Sequence, residues 1–165
     1  QFVKENDIIF IDTGSTTCNL IDYLKHLSSI TVITNNLDAI IRAIAYPNIT
    51  LYTIKGVLNR ANNSFSPINT TNVFGNFNFR KAFMAASGVS LNNSVSHSDP
   101  LENSTKRAAV KQAEECYLLV DNTKFDHNSV HTYANLTEFN TIITNKKPSA
   151  DFTNLFKEQS INCVY

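Results

Sequence analysis

The sequence predicts an α/β fold, a Rossmann-like and mostly parallel sheet with helices on both faces. Three observations carry that expectation. Short runs rich in β-branched and apolar residues alternate with stretches of helical period along the whole chain. Several of those runs are apolar at consecutive positions, as in strands buried on both faces. Long polar loops follow the strand ends, which is where open α/β sheets hold ligands.

Residues 7–12 (DIIFID) form the first strand. Residues 16–27 follow as a helix with Leu20, Ile21, Leu24 and Leu27 on one face. Residues 30–34 (ITVIT) are the second strand, and Asn35 or Asn36 then offers an N-cap. Leu37, Ile40, Ile41 and Ile44 make the apolar stripe of the next helix, which Pro47 closes. Residues 49–54 are the third strand, followed by an Asn/Ser-rich loop to about residue 66 and a weaker helix over 67–77. Residues 82–86 are a strand and 89–99 a second long polar loop. A helix over 100–115 starts with Pro100 at its first position and Asp99 as its cap. Residues 116–121 are a clear strand, and Asn122 to Phe125 open another polar loop. Strands over 141–144 and 161–164 flank a helix over 150–158 that carries Phe152, Leu155 and Phe156.

At 165 residues the chain can bury one sizeable core, and no internal boundary divides it, so residues 1–165 are expected to form a single domain. Its 14 basic and 14 acidic residues cancel, which argues against this stretch gripping DNA or an anionic membrane by itself. No signal peptide or bilayer-length apolar run is visible. The 3 cysteines are scattered, with no C-x-x-C pair, and read as reduced, buried thiols of a cytoplasmic protein. The chain starts at Gln1, almost directly in a strand, as expected of a piece of a longer protein.

The stretch Asp12-Thr13-Gly14-Ser15-Thr16-Thr17 raises the functional question. It joins a strand to a helix at the ligand-bearing edge of the sheet. Unpaired amides of a first helical turn attract anions, Gly14 permits close approach, and Ser15, Thr16 and Thr17 add hydroxyls. The loop is either an anion cradle or a plain turn in which Ser or Thr caps a helix. Neither common nucleotide fingerprint is present. Asp12 would repel a phosphate, so it is expected to address sugar hydroxyls or to order the loop.

Other strand ends carry similar chemistry: Thr34-Asn35-Asn36, Lys55-Gly56, Ser87-Gly88, and Asp121 with Lys124. Taken together they point to a small, hydroxylated, anionic ligand. Asp12, Glu102 and Asp121 are the possible bases of an enzyme, yet they form no acid–base constellation, and His26 and His97 read as solvated.

With these residues assembled, the chain resembles the C-terminal effector-binding domain of the DeoR family of bacterial transcriptional regulators. The matching pieces are IFIDTGSTTCNL, TVITNNL, KAFMAASGVS, KRAAVKQAEECYLLVDNTKF and NTIIT, in the family's order. The resemblance implies a fold related to ribose-5-phosphate isomerase and a pocket for a phosphorylated sugar. It places the phosphate on Gly14, Ser15, Thr16 and Thr17, with Asn35 and Asn36 lining the pocket and Lys124 as the cation. Lys106 and Glu102 match a frequent basic and a frequent acidic position. Lys55-Gly56 stands where the family usually has Gly-Gly, Arg80 where an Asp is frequent, and Ser94 where a Gly often opens a loop. Arg80 thereby reverses a charge at the expected pocket rim.

The resemblance further implies a missing N-terminal winged helix-turn-helix as the only contact with DNA, a homo-oligomer, no cofactor, and no catalytic or metal-ligating residue. A ligand-sensing regulator of sugar metabolism is therefore expected rather than an enzyme. The alternatives are a sugar-phosphate isomerase or deaminase, and a degenerate domain used only for oligomerisation.

Overall fold

The computed structural model describes residues 2–92 and 94–165. Gln1, where the sequence suggests a cut, and Asn93, inside the expected 89–99 loop, lie outside the described residues.

A seven-stranded sheet forms the frame, in the order β12-β11-β9-β6-β1-β2-β3. Its strands are β1 (Ile8–Ile11), β2 (Ile30–Thr34), β3 (Ile49–Thr53), β6 (Lys81–Ala85), β9 (Glu115–Leu119), β11 (Thr141–Ile143) and β12 (Asn162–Val164). Every pairing in this sheet is parallel. The side-chain period of two sorts the strand residues onto two cores. Phe10, Ile33, Met84 and Leu118 pack on one side with Phe152 and Phe156. Ile9, Ile11, Val32, Phe83 and Leu119 pack on the other with Ile21, Leu24 and Ala39. The helices over those faces are α1 (Ser15–Cys18), α2 (Leu20–Tyr23) and α3 (Leu37–Ala43) on one side, and α4 (Pro100–Gln112) and α5 (Ala150–Glu158) on the other.

The loops hold more structure than their composition suggests. The Asn/Ser-rich stretch after β3 is an antiparallel hairpin of β4 (Gly56–Asn59) and β5 (Ser64–Pro67). A Cβ on Gly56 would meet the Ser66 carbonyl oxygen at 2.2 Å, so this glycine serves the hairpin. The expected 89–99 loop contains β8 (Ser94–His97), which pairs with β7 (Gly88–Val89) and β10 (His131–Asn135) in an antiparallel three-stranded sheet.

Three helix expectations are corrected. The helix over 16–27 is broken into α1, α2 and a 3-10 turn, Leu24–His26. The Thr17 hydroxyl donates to the carbonyls of Asp12 and Gly14, and such local side-chain bonds compete with a continuous helix. No helix forms over 67–77, because Phe74 leaves the surface to pack edge-on against Phe10 and Phe79. On α3, Ala39 and Ala43 face the core, whereas Ile41 and Ile44 are 58% and 79% exposed. Small alanines let that short helix lie close to the sheet.

Candidate functional site

Strands β1, β6 and β9 are neighbours and parallel, so their C-terminal ends open on one rim. There Thr13, Gly14, Ser15 and Thr16 line a cleft of about 210 Å³ together with Ser87 and Lys124. Asp121 and His97 complete its polar wall. Gly14 adopts φ 138°, a conformation that side chains disfavour, and a Cβ there would stand 3.0 Å from that of Ala85. Because Gly14 carries no side chain, no cap bond closes the first turn of α1. The amides of Ser15, Thr16 and Thr17 consequently have no acceptor among the described residues. Since α1 is only 4 residues long, its capacity for an anion lies in these amides rather than in a helix dipole.

The chain matches the DeoR C-terminal sensor domain over residues 1–146. It belongs to that family.

Among curated relatives, the sensor domain is 34% identical to the HTH-type transcriptional regulator IolR of Bacillus subtilis, over 98% of this chain and 64% of that protein. It is 31% identical to the lactose phosphotransferase system repressor of Lactococcus lactis, over 96% of this chain and 62% of that protein. The chain thus spans a little under two-thirds of the length of these relatives. Its fold is similar to that of ribose 5-phosphate isomerase from Plasmodium falciparum, with a TM-score of 0.52, 14% identity, and coverage of 76% of this chain and 47% of that one.

Beneath the cleft of the sensor domain runs a buried polar network. Asp12 Oδ2 accepts from Lys106 Nζ at 2.5 Å and from the Ala85 amide at 3.0 Å. The Ala85 carbonyl accepts from Lys106 at 3.3 Å and from the Tyr133 hydroxyl at 2.8 Å. Lys106 Nζ also lies 5.4 Å from the centre of the Tyr133 ring, within cation–π reach. Glu102 Oε2 accepts from the Thr13 hydroxyl at 2.7 Å and forms an ion-pair contact with His97 Nε2, also at 2.7 Å. Lys106 stands 3.8 Å from the same carboxylate oxygen, one helical turn along α4. Burial pushes the Asp12 carboxyl above its usual range, against the pull of Lys106. Burial would also raise Glu102, but His97, the Lys106 charge and the Thr13 hydroxyl outweigh it and hold that carboxyl at about 2. At the rim, the Thr123 hydroxyl and amide hold Asp121 below the usual carboxylate range.

The structure treats the expected site residues differently. Gly14, Ser15, Thr16 and Lys124 line the cleft. Asp12 does not reach it as a ligand group; it ties β1 to β6 and to Lys106. Thr17 is fully buried and does not line the cleft, and its hydroxyl is turned inward to backbone carbonyls, so the expected phosphate contact at this position is corrected. Asn36 is buried too: its Oδ1 caps α3 through the amides of Asp38 and Ala39, and its Nδ2 donates to the Gly14 carbonyl at 3.2 Å. Asn35 is buried beside β5, where its carbonyl accepts the Phe65 amide. Neither asparagine lines the cleft. Glu102 and Lys106 lie under its floor rather than in its wall, at 1% and 0% exposure.

Three expected residues lie elsewhere. Lys55 and Gly56 follow the edge strand β3, where Lys55 borders a separate groove of about 780 Å³ with Phe74 and Phe77. Arg80 precedes β6 at the opposite, N-terminal end of the sheet and pairs with Glu114 at 2.7 Å, both largely exposed. Its charge therefore does not touch the rim, and the inferred charge reversal there is corrected.

His97, expected from the sequence to be a solvated loop histidine, is instead a residue of the site. It belongs to β8, its side chain is 15% exposed, and its Nδ1 lies 3.2 Å from the Ser87 hydroxyl. The available signal is Glu102, an acid a few residues further on at the start of a helix.

Asn36 links the cleft loop to α3. Asn36→Ala is expected to destabilise the sensor domain by roughly 1–2 kcal/mol, the usual cost of a lost N-cap. Urea unfolding of the variant against the parent checks it.

Proposed function

We propose that the sensor domain binds a phosphorylated sugar or sugar derivative in the rim cleft. On this reading the full-length protein is a sugar-responsive transcriptional regulator that contacts DNA through an N-terminal winged helix-turn-helix. The observation that carries the proposal is the pair of free amides at Ser15 and Thr16, residues that line a cleft also presenting Lys124. Phosphate groups are held by such clustered amides with a nearby cation. The lactose-system name of one relative supports sugar as the signal class. The small cleft volume suits a phosphoryl group with a short polyol.

The carboxylates favour sensing over catalysis. A base for sugar-phosphate isomerisation needs a pKa near the working pH and access to a carbon-bound proton. Glu102 is held at about 2 and Asp121 is lowered, so both are weak bases. Asp12 is raised, but it is fully buried and engaged by Lys106. The open cleft speaks against a domain kept for oligomerisation alone, although a homo-oligomer remains part of the proposal. Its support is the apolar surface of Tyr23, Ile41 and Ile44, which are 75%, 58% and 79% exposed.

Thermal unfolding against a panel of phosphorylated and unphosphorylated sugars tests the reading. A matching phosphosugar at a hundredfold excess over its Kd is expected to stabilise the domain by about 2.7 kcal/mol. Lys124→Ala is expected to remove most of that gain without changing the ligand-free melting temperature. Equal responses to a phosphosugar and its unphosphorylated parent would refute the proposal.

A further inference from the structure

The β4–β5 hairpin is held to the rest of the domain by hydrogen bonds rather than by apolar packing. None of residues 56–67 is part of either apolar core. Val57 is 66% exposed, and Leu58 and Phe65, only partly buried, face each other across the hairpin itself. A two-stranded hairpin without a buried apolar face is marginally stable by itself. Its position is therefore set by the polar groups that tie it down.

Those ties fall into two groups. On the side of α3, the Leu37 amide donates to the Asn63 carbonyl and the Phe65 amide to the Asn35 carbonyl, both at 2.8 Å. On the side of α4, Asn59 Nδ2 and Asn62 Nδ2 each donate to Asp99 Oδ2 at 2.6 Å. The other oxygen, Asp99 Oδ1, accepts the Leu101 amide at 2.8 Å as the cap of α4. Asp99 thus joins the hairpin to the first turn of that helix. Bonds to an ionised carboxylate are stronger than neutral ones, so these two asparagines are the firmest of the ties.

Both groups lead to the cleft. Glu102, in the first turn of α4, divides its carboxylate between two neighbours. Oε2 takes the Thr13 hydroxyl and contacts His97, both at 2.7 Å, whereas Oε1 faces Asn62 Nδ2 at 3.4 Å. On the other side, Asn36 lies between the two residues bonded to the hairpin and donates to the Gly14 carbonyl at 3.2 Å. The loop that carries the free Ser15 and Thr16 amides is accordingly held at Thr13 and at Gly14 by groups that the hairpin holds in turn. No hairpin residue lines the cleft.

We propose that Asn59, Asn62 and Asp99 form a latch that positions the cleft, so that hairpin docking and anion binding favour each other. With the latch made, Glu102 and Asn36 support the 13–16 loop in the conformation that presents its amides. With the hairpin detached, Glu102 Oε1 and the Asn35 carbonyl lose their donors, and the loop loses that support. An anion on the Ser15 and Thr16 amides binds the docked state better and shifts the hairpin toward it. By linkage, the latch strengthens anion binding by the same factor. The three latch residues are positioning residues and touch no ligand. The inference rests on the phosphate reading of the cleft and adds its regulation.

Amide hydrogen exchange of the 165-residue chain, with inorganic phosphate or with chloride at equal ionic strength, tests it. Leu37 and Phe65 are the reporters, because their amides bridge the hairpin and the body of the domain. Saturating phosphate is expected to slow their exchange about fivefold or more, the lower end of coupling between distinct sites. Asn59→Ala combined with Asn62→Ala is expected to speed exchange at both amides without phosphate. It is also expected to weaken phosphate binding, measured by calorimetry, by up to the same factor. Asp99→Ser, which keeps a capping hydroxyl on α4 but removes the carboxylate, is expected to act in the same direction. Val57→Ala, at an exposed position of the hairpin, is the control and is expected to change neither quantity.

Phosphate that binds yet leaves Leu37 and Phe65 unaffected overturns the latch and leaves the phosphate reading standing. So does a double variant that binds phosphate as tightly as the parent. Exchange at the two reporters no faster than at the β1 amides also overturns it, since the hairpin would then have no detached state short of global unfolding. No binding of phosphate or of any phosphosugar overturns the latch and the phosphate reading together.

Discussion

Lys106→Met is expected to destabilise the sensor domain by about 3–5 kcal/mol, the range found when one partner of a buried ion pair is removed. The lysine side chain is 0% exposed, and so is its partner Asp12. Methionine fills most of the volume but supplies no charge. Asp12 would then keep the Ala85 amide and a long contact from the Thr13 hydroxyl at 3.4 Å, neither of them charged, in a site where burial already raises its pKa. The Ala85 carbonyl would keep Tyr133. Glu102 would lose the Lys106 charge while retaining Thr13 and His97. Chemical unfolding of the variant measures the loss. Lys111→Met, at an exposed position of the same helix, is the control and is expected to stay within about 0.5 kcal/mol. Asp12→Asn combined with Lys106→Met is expected to recover part of the loss, because the orphaned charge goes with it. A single variant as stable as the control would mean that the pair contributes nothing to the fold.

Acid should weaken the domain through Glu102. Its folded value of about 2 lies below its ordinary 4.5, so over that interval the unfolded chain binds the proton more readily. The stabilisation is fully present above about pH 4.5 and is lost as pH falls through about 2. A tenfold difference in proton affinity between the folded and unfolded chain is worth about 1.4 kcal/mol, which makes the Glu102 contribution about 3 kcal/mol. Asp12 acts with the opposite sign, since its raised value lets the native state take a proton first. The measured fall should therefore be smaller than the Glu102 contribution alone. Unfolding free energies between pH 5 and pH 2 give the curve, and Glu102→Gln is expected to flatten it. An unchanged slope in that variant would remove Glu102 from the account.

Lys106 and Glu102 matter because of where they point, and that is not a local property. A long apolar run such as residues 8–11, by contrast, can satisfy its pattern only as a strand covered on both sides, so the frame of the parallel sheet follows from local composition. Asp99 and Pro100 likewise mark the start of α4 by chemistry confined to its first turn. The β4–β5 hairpin and the β7-β8-β10 sheet carry no such signal. Their strands are short and polar, as in Ser94–His97, and they exist because partners elsewhere in the chain pair with them. The 67–77 stretch departs from its helical expectation for a related reason: Phe74 is recruited by Phe10 across the fold.

At the site, the strand-end positions of Gly14, Ser15, Thr16 and Lys124 follow from sequence, since a parallel α/β sheet brings these ends to one rim. Which polar groups face the cleft does not follow. The Thr17 hydroxyl turns to the backbone, Asn36 is consumed by a cap, and Lys106 is consumed by Asp12. Arg80 lies at the wrong end of its strand to meet a ligand. Residue order thus determined the layered fold and the location of the rim, because strand and helix periods are local properties. Tertiary structure alone decided the orientation of each polar side chain, because a buried donor or acceptor goes wherever a partner compensates its lost hydration.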